Sequence, residues 1–529
     1  MPGWRESAPL VLRTLLWAGI CLSVKPSTAA NPPSRPVAID GGLISGEMLS
    51  SGVAAFKGIP YAAPPVGGLR WRAPQPVAAW KGVKKADHFG PACMQNPLKP
   101  GSFYQLEFYR QTEPISEDCL FLNVWVPPAT AKEAAPVLLW IHGGGFVEGS
   151  GSLPSFDGEN LARKGAIVVT INYRLGIFGF LAHPELTQEA SYKASGNYGL
   201  LDQRAALQWV QHNIQKFGGD AGNVTIFGQS AGAMSILAHA ASPLSAGLYS
   251  KAIMQSGAFL PMPPLPVAEQ TGINFMKAIG SSSLEQLRAK SAEELQKAAT
   301  TASKLTTNVS RFFPIVDGYF LPTDVLTTFQ QGKQNPVAFM TGSTADEGTT
   351  IIPAVTDEEY KKSVQTRFGE KAGEYLKLYP AATDAQAWRA EVDNLRDTMA
   401  AASLRLAELM AEKGMNSYIY YFDRRPPGRD DGHYGAFHSS DLVYVFNNLG
   451  SVDRPWTDAD RKLAAIMSSY WVNFAKYGNP NGDALPRWPA FDGKLAGTTL
   501  ELGDEVRPNS IPDRARLEEI SKQGLSLAF

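Results

Sequence analysis

The chain has 529 residues, 44% hydrophobic and 10% aromatic, with a formal net charge of −1. A chain of that size buries an extensive core, and nothing in its near-neutral charge points to nucleic acid or an anionic membrane face. The composition also excludes collagen-like and coiled-coil chains.

Arg5 and Arg13 stand before or at the start of an apolar run at 15–24, and Ser27, Thr28, Ala29 and Ala30 follow it. The run is about half the roughly twenty residues that a membrane span needs. Basic, apolar and small in that order predict a signal peptide over 1–30, with 31–529 as the exported chain. A lipoprotein leader lipidated at Cys21 fits less well, because Ile20 is a poor neighbour for that processing. Loss of the leader leaves Cys93 and Cys119, which an exported protein is expected to join in one disulfide.

Residues 39–56 alternate between glycines as one or two antiparallel hairpins. Residues 56–65, with Pro60, Pro64 and Pro65, read as an extended loop. Residues 93–115 are irregular, and a Cys93–Cys119 bridge would close them into a surface loop. The apolar run 137–141 (VLLWI) predicts a strand covered on both faces. His142-Gly143-Gly144-Gly145-Phe146 follows at once. Glycines there leave backbone N–H groups bare above the sheet, which suits an oxyanion hole. No Lys-Ser/Thr follows, which argues against a phosphate loop.

A second buried strand is expected at 166–172 and an amphipathic helix at 200–217. Strands are expected at 223–227, 251–255, 337–341 and 418–422, and helices at 233–241 and 461–477. Residues 261–313 read as a helical insertion over the sheet, 357–410 as mostly helical, and 498–502 as a late edge strand. Strand and helix alternate from 137 onward. The expected class is α/β, one domain over 31–529 with a large, mostly parallel, twisted sheet and helices on both faces.

The stretch 223–235, NVTIFGQSAGAMS, is where chemistry is expected. A strand, then Gly-x-Ser-x-Gly, then a helix is the setting of a nucleophile elbow. A side chain at Gly228 or Gly232 would collide with neighbouring backbone in so tight a turn. Ser230 then stands on a strained turn at a helix N-terminus, which favours developing negative charge.

Triads on such sheets run nucleophile, acid, histidine along the chain. Only His433 and His438 follow the last strong strand. The more apolar surroundings of His438 suit a neutral, shielded base, so it is preferred. For the acid, Asp346 and Glu347 both stand after the 337–341 strand, and spacing does not choose between them.

The chain resembles the type-B carboxylesterases, the family of cholinesterases, bile-salt lipases and bacterial p-nitrobenzyl esterases. The resemblance runs from about 36 to 488. It is carried by FKGIPYAAPPVGGLRWRAP (56–74), SEDCLFLNVWVP (116–127), HGGGF (142–146), NYRLGIFGFL (172–181), GNYGLLDQRAALQWV (196–210), IFGQSAGA (226–233), ADEG (345–348) and WVNFAKYGNPN (471–481). It implies an α/β-hydrolase fold and a serine esterase with no cofactor or metal, acting on small-molecule esters. It implies Ser230, Glu347 and His438 as the triad, with Asp441 three residues past the histidine. It implies oxyanion donors at the N–H groups of Gly144, Gly145 and Ala231, and a Cys93–Cys119 disulfide.

The chain departs from most relatives by having Gln229, where they have Glu, before the nucleophile. A neutral amide there removes a charge that would favour cationic substrates. Leader and length are similar to those of the exported bacterial fumonisin esterases within the family, which implies tricarballylate esters as substrates. Two rival classes are considered. A cholinesterase-like adhesion protein lacks the nucleophile, whereas Ser230 is present here. A metallohydrolase would carry His-Glu-x-x-His or clustered ligands, which this sequence does not.

Overall fold

The computed structural model describes residues 35–107, 112–128, 133–305, 312–429, 431–493 and 498–523. The expected signal peptide lies outside the described residues.

Eleven strands form the central sheet: β1 (Glu47–Met48), β2 (Ala54–Pro60), β3 (Phe121–Val126), β4 (Ala135–Ile141), β5 (Ile167–Ile171), β6 (Gly219–Gln229), β7 (Lys251–Gln255), β8 (Ala338–Thr344), β9 (Ser417–Phe422), β10 (Thr499–Leu502) and β11 (Val506–Asn509). Their spatial order is β11-β10-β9-β8-β7-β6-β4-β5-β3-β2-β1. The run from β10 to β5 is parallel throughout. Antiparallel pairs close both edges.

The apolar character of β4 has a direct cause: all seven of its residues are buried. Val137, Leu139 and Ile141 enter one core, and Leu138 and Trp140 enter the other, as a pleat of period two requires. Helices α1 (Tyr198–Asn213) and α2 (Ala231–Ala241) cover the first face, with Leu207 and Ile236 in its core. Helix α3 (Asp458–Tyr477) covers the second with Leu463 and Trp471. It begins three residues before the sequence pattern suggests, because Thr457 and Asp460 form a capping box. Gly478, in the left-handed region, ends it.

Strand order reverses around β4. The chain passes from β4 to β5 on one side and returns to β6 on the other. Loops leaving β4 and β6 therefore diverge over a crevice at the carboxyl ends of the strands, where open α/β sheets bind ligands. Residues 142–146 are the first of these, and the second is the tight turn at Ser230 between β6 and α2.

Three expectations need correction. The segment 56–65 is not all loop, because Ala54–Pro60 is a strand paired with β3. Pro60 is tolerated as the last residue of that strand. β3, at Phe121–Val126, has no counterpart among the expected strands. The strand at 499–502 is not an edge, because Val506–Asn509 pairs outside it and takes the exposed position. The described part of the 261–313 region is mostly helical, with helices at Leu265–Ala278, Leu284–Ala289 and Ala292–Leu305.

Candidate active site

The elbow is built from the collision of two strands' ends. A Cβ on Gly232 would lie 2.0 Å from the Ile141 carbonyl oxygen, and one on Gly228 would lie 2.7 Å from the same atom. Both are far inside van der Waals contact, so only glycine fits at either position. Between them Ser230 sits at φ 57° and ψ −122°, a strained conformation for a residue with a side chain. Its N–H donates to the Gln255 carbonyl at 3.0 Å, and its own carbonyl accepts from Met234 at 2.9 Å. The turn is thus held by β7 beside it and by α2 after it.

The loop after β4 approaches the elbow closely. A Cβ on Gly143 would lie 2.7 Å from the Gln229 carbonyl and 3.2 Å from Ser230 Cβ. Gly144 and Gly145 follow at φ 97° and 59°. Among the described residues, no protein group accepts from either N–H. Ala231 is the first residue of α2, so its N–H has no partner within the helix. Three donors are therefore left bare at the crevice.

The acids after β8 divide their roles. Glu347 is fully buried and its Oε2 accepts from His438 Nδ1. Its Oε1 accepts from the Thr344 N–H at 2.7 Å. Asp346 turns the other way: its Oδ2 accepts from the Ala436 N–H at 3.0 Å, and its own N–H donates back to the Ala436 carbonyl. Asp346 therefore pins the loop that carries His438, while Glu347 holds the imidazole. His433 is exposed and lies flat against Trp388, with ring centroids 5.4 Å apart.

Gln229, also buried, contacts the histidine directly. Its amide donates to His438 Nε2 at 2.9 Å. With Nδ1 donating to Glu347, both bonds are satisfied only by the neutral imidazole protonated at Nδ1. That is the tautomer of a general base, with the Nε2 lone pair on the elbow side. The sequence places Gln229 beside the nucleophile, but this contact needs strand β6 and the 435–441 loop to meet.

Asp441 is fully buried behind His438. Its Oδ2 accepts from Gln255 Nε2 at 2.9 Å and from the Tyr420 hydroxyl at 3.0 Å. Trp471 Nε1 donates to the Oε1 of the same Gln255 at 3.1 Å. Nothing in the sequence marks Gln255 or Tyr420. They are found by noting that both stand near the ends of strands flanking β8. Burial pushes the Asp441 carboxyl up to about 6, with the Glu347 charge adding to the rise against the lowering bonds from Gln255 and Tyr420. An acid raised in this way holds its proton more tightly folded than unfolded. Its contribution to stability is most favourable below the ordinary aspartate range and is lost as pH rises through about 6. Asp441→Asn is therefore expected to melt at the same or a higher temperature than the parent at pH 8, with a gain of up to about 3 kcal/mol. The gain should vanish by pH 4. A variant that is less stable at pH 8 than at pH 4, relative to the parent, would show that the ionised carboxylate is needed.

Cys93 and Cys119 are joined, with Cα atoms 4.9 Å apart. The described residues of the loop they close reach the candidate site. Gln95 bonds both the N–H and the carbonyl of Gly149, each at 2.9 Å, which ties the loop to the glycine segment. The Phe103 ring meets Phe437 edge-on at 4.8 Å, next to His438. Glu107 is buried and pairs with Arg454 at 2.9 Å.

A parallel-cored sheet with helices on both faces and a strained Gly-x-Ser-x-Gly turn at its topological switch defines an α/β-hydrolase fold. The carboxylesterase family model matches residues 33–520. The chain is 38% identical to the fumonisin B1 esterase of Sphingopyxis macrogoltabida, over 87% of this chain and 85% of that protein. It is 37% identical to the para-nitrobenzyl esterase of Bacillus subtilis (strain 168), over 89% and 95%. A solved structure of a PNB esterase superposes with a TM-score of 0.81 at 35% identity, covering 92% of this chain and 99% of the other. The chain belongs to the carboxylesterase family, and it is an ester hydrolase. No helix among the described residues is long and apolar enough to cross a membrane.

Proposed function

We propose that the chain hydrolyses esters through an acyl-enzyme on Ser230, with His438 as general base and Glu347 as its orienting acid. The observation that carries this reading is the bond from His438 Nδ1 to the buried Glu347, which leaves Nε2 as the lone pair beside the elbow. Ser230 Oγ attacks the ester carbonyl and passes its proton to Nε2. The Gln229 amide must release Nε2 as this happens, since it cannot donate to an imidazolium N–H. The N–H groups of Gly144, Gly145 and Ala231 receive the oxyanion, a term worth about 3 kcal/mol per donor in other hydrolases. His438 then protonates the leaving alcohol, and water repeats the sequence on the acyl group.

Tricarballylate esters of the fumonisin type are the proposed substrates. The 38% identity to a fumonisin B1 esterase and the neutral Gln229 support them. Export to an oxidising compartment is part of the same reading, supported by the 1–30 sequence pattern and by the disulfide.

A serine-directed organophosphate tests the mechanism. One equivalent should modify Ser230 and abolish hydrolysis of p-nitrophenyl acetate. Failure to react would favour a non-catalytic binding protein. Incubation with fumonisin B1 should release tricarballylate. Turnover of neutral esters without that release would overturn the substrate alone.

A further inference from the structure

We propose that Glu148 sets the charge preference of the cleft, admitting a substrate carboxylate while it carries a proton and excluding one when ionised. This deepens the proposed esterase reading and rests on it. Glu148 belongs to the glycine segment itself: its N–H donates to the Gly144 carbonyl at 3.0 Å. Its side chain runs along Gly144, so close that a Cβ there would lie 3.1 Å from Glu148 Cγ. The Glu148 side chain therefore packs against Gly144, one of the candidate oxyanion donors. Among the described residues it has no hydrogen-bond or ion-pair partner, and the proposed mechanism gives it no part.

Among the described residues, the groups cited around it include no cation. Tyr104, from the disulfide-closed loop, lies within electrostatic reach of both Glu148 and Glu347. Gly149, the next residue, lies against the His142 ring, whose burial holds it down to about 4 and so neutral. His438 is bound by Glu347 and Gln229. Desolvation pushes the Glu148 carboxyl up to about 7, and no positive neighbour among the described residues offsets it. Near neutral pH it can thus switch between two forms. The neutral acid donates a hydrogen bond to a carboxylate, the two sharing one proton as paired carboxyls do. The anion repels the same group. A neutral acyl group is indifferent to the change.

The test compares p-nitrophenyl acetate with the p-nitrophenyl monoester of glutaric acid, which carries one free carboxylate. The parent and Glu148→Gln are assayed between pH 6.5 and 8.5. In the parent, the ratio of kcat/KM for the anionic ester to that for the neutral one should fall about fivefold or more across this range. In Glu148→Gln the ratio should be flat. A fall of the same size in both proteins overturns the proposal. Glutarate itself provides a reading without any variant. As a competitive inhibitor of acetate-ester hydrolysis by the parent, it should weaken several-fold over the same range, and constant inhibition would also overturn the proposal. A parent that fails to hydrolyse the neutral ester overturns the esterase reading and this inference with it. A parent active on that ester with no change in ratio overturns only the role of Glu148.

Discussion

Ser230→Ala is expected to lower kcat by roughly four to six orders of magnitude, because members of a triad act as a unit and the residual rate comes from the oxyanion donors and binding alone. The fold should tolerate the change. Ser230 is at the surface of the crevice and its backbone bonds to Gln255 and Met234 do not use the hydroxyl. The strained φ of 57° remains with alanine, so no large gain or loss of stability is expected. Unchanged far-ultraviolet circular dichroism and melting temperature, together with the lost turnover on p-nitrophenyl acetate, check the prediction. Near-normal turnover by the folded variant would move the nucleophile elsewhere.

The second large effect separates two adjacent acids. Glu347→Gln should lower kcat by roughly ten-thousand-fold, the scale seen when a triad acid becomes an amide and the histidine tautomer is lost. An amide at 347 can present its NH2 to Nδ1, which forces the proton onto Nε2 and removes the base. Asp346→Asn should leave kcat within about tenfold. Its cost falls on stability, at roughly 1–2 kcal/mol, because the Ala436 N–H loses a charged acceptor. Steady-state kinetics and thermal melts on both variants check the contrast. Equal and mild kinetic losses would mean that neither residue orients the base.

The neighbourhood of Asp346 and Glu347 shows why sequence spacing alone left them tied. Both leave the same strand end, in the same Gly-bounded loop, and both have a partner in the 435–438 segment. Only the direction in which each side chain turns separates them, and that depends on how the loop after β8 meets the loop after β9. His433 and His438 present the milder form of the same problem. Their apolar and polar surroundings in the sequence already favoured His438, and the exposed stacking of His433 on Trp388 agrees with that preference.

Local chemistry determined a good deal by itself. The strand at 137–141 is legible because a strand buried on both faces must be apolar along its length, and that at 223–227 because it alternates and is β-branched. The elbow is legible because the clash at Gly228 and Gly232 excludes every other residue, so the turn writes itself into the sequence as glycine. The disulfide is legible because two cysteines in a chain with a leader-like N-terminus have one pairing. Other features depend on contacts across hundreds of residues and leave no local mark. The strand at 54–60 is masked by its glycine and proline, and is fixed by pairing with 121–126 and 47–48. The bond from Gln229 to His438 spans 209 positions, and the Asp441 network joins the ends of separate strands. Glu148 looks like any acid in a glycine-rich loop until the fold sets its side chain against Gly144, with no partner for its carboxyl among the described residues. Periodicity and turn chemistry report what a residue does to its neighbours in the chain. Burial, tautomer and charge pairing are set by neighbours in space, and those exist only once the sheet is assembled.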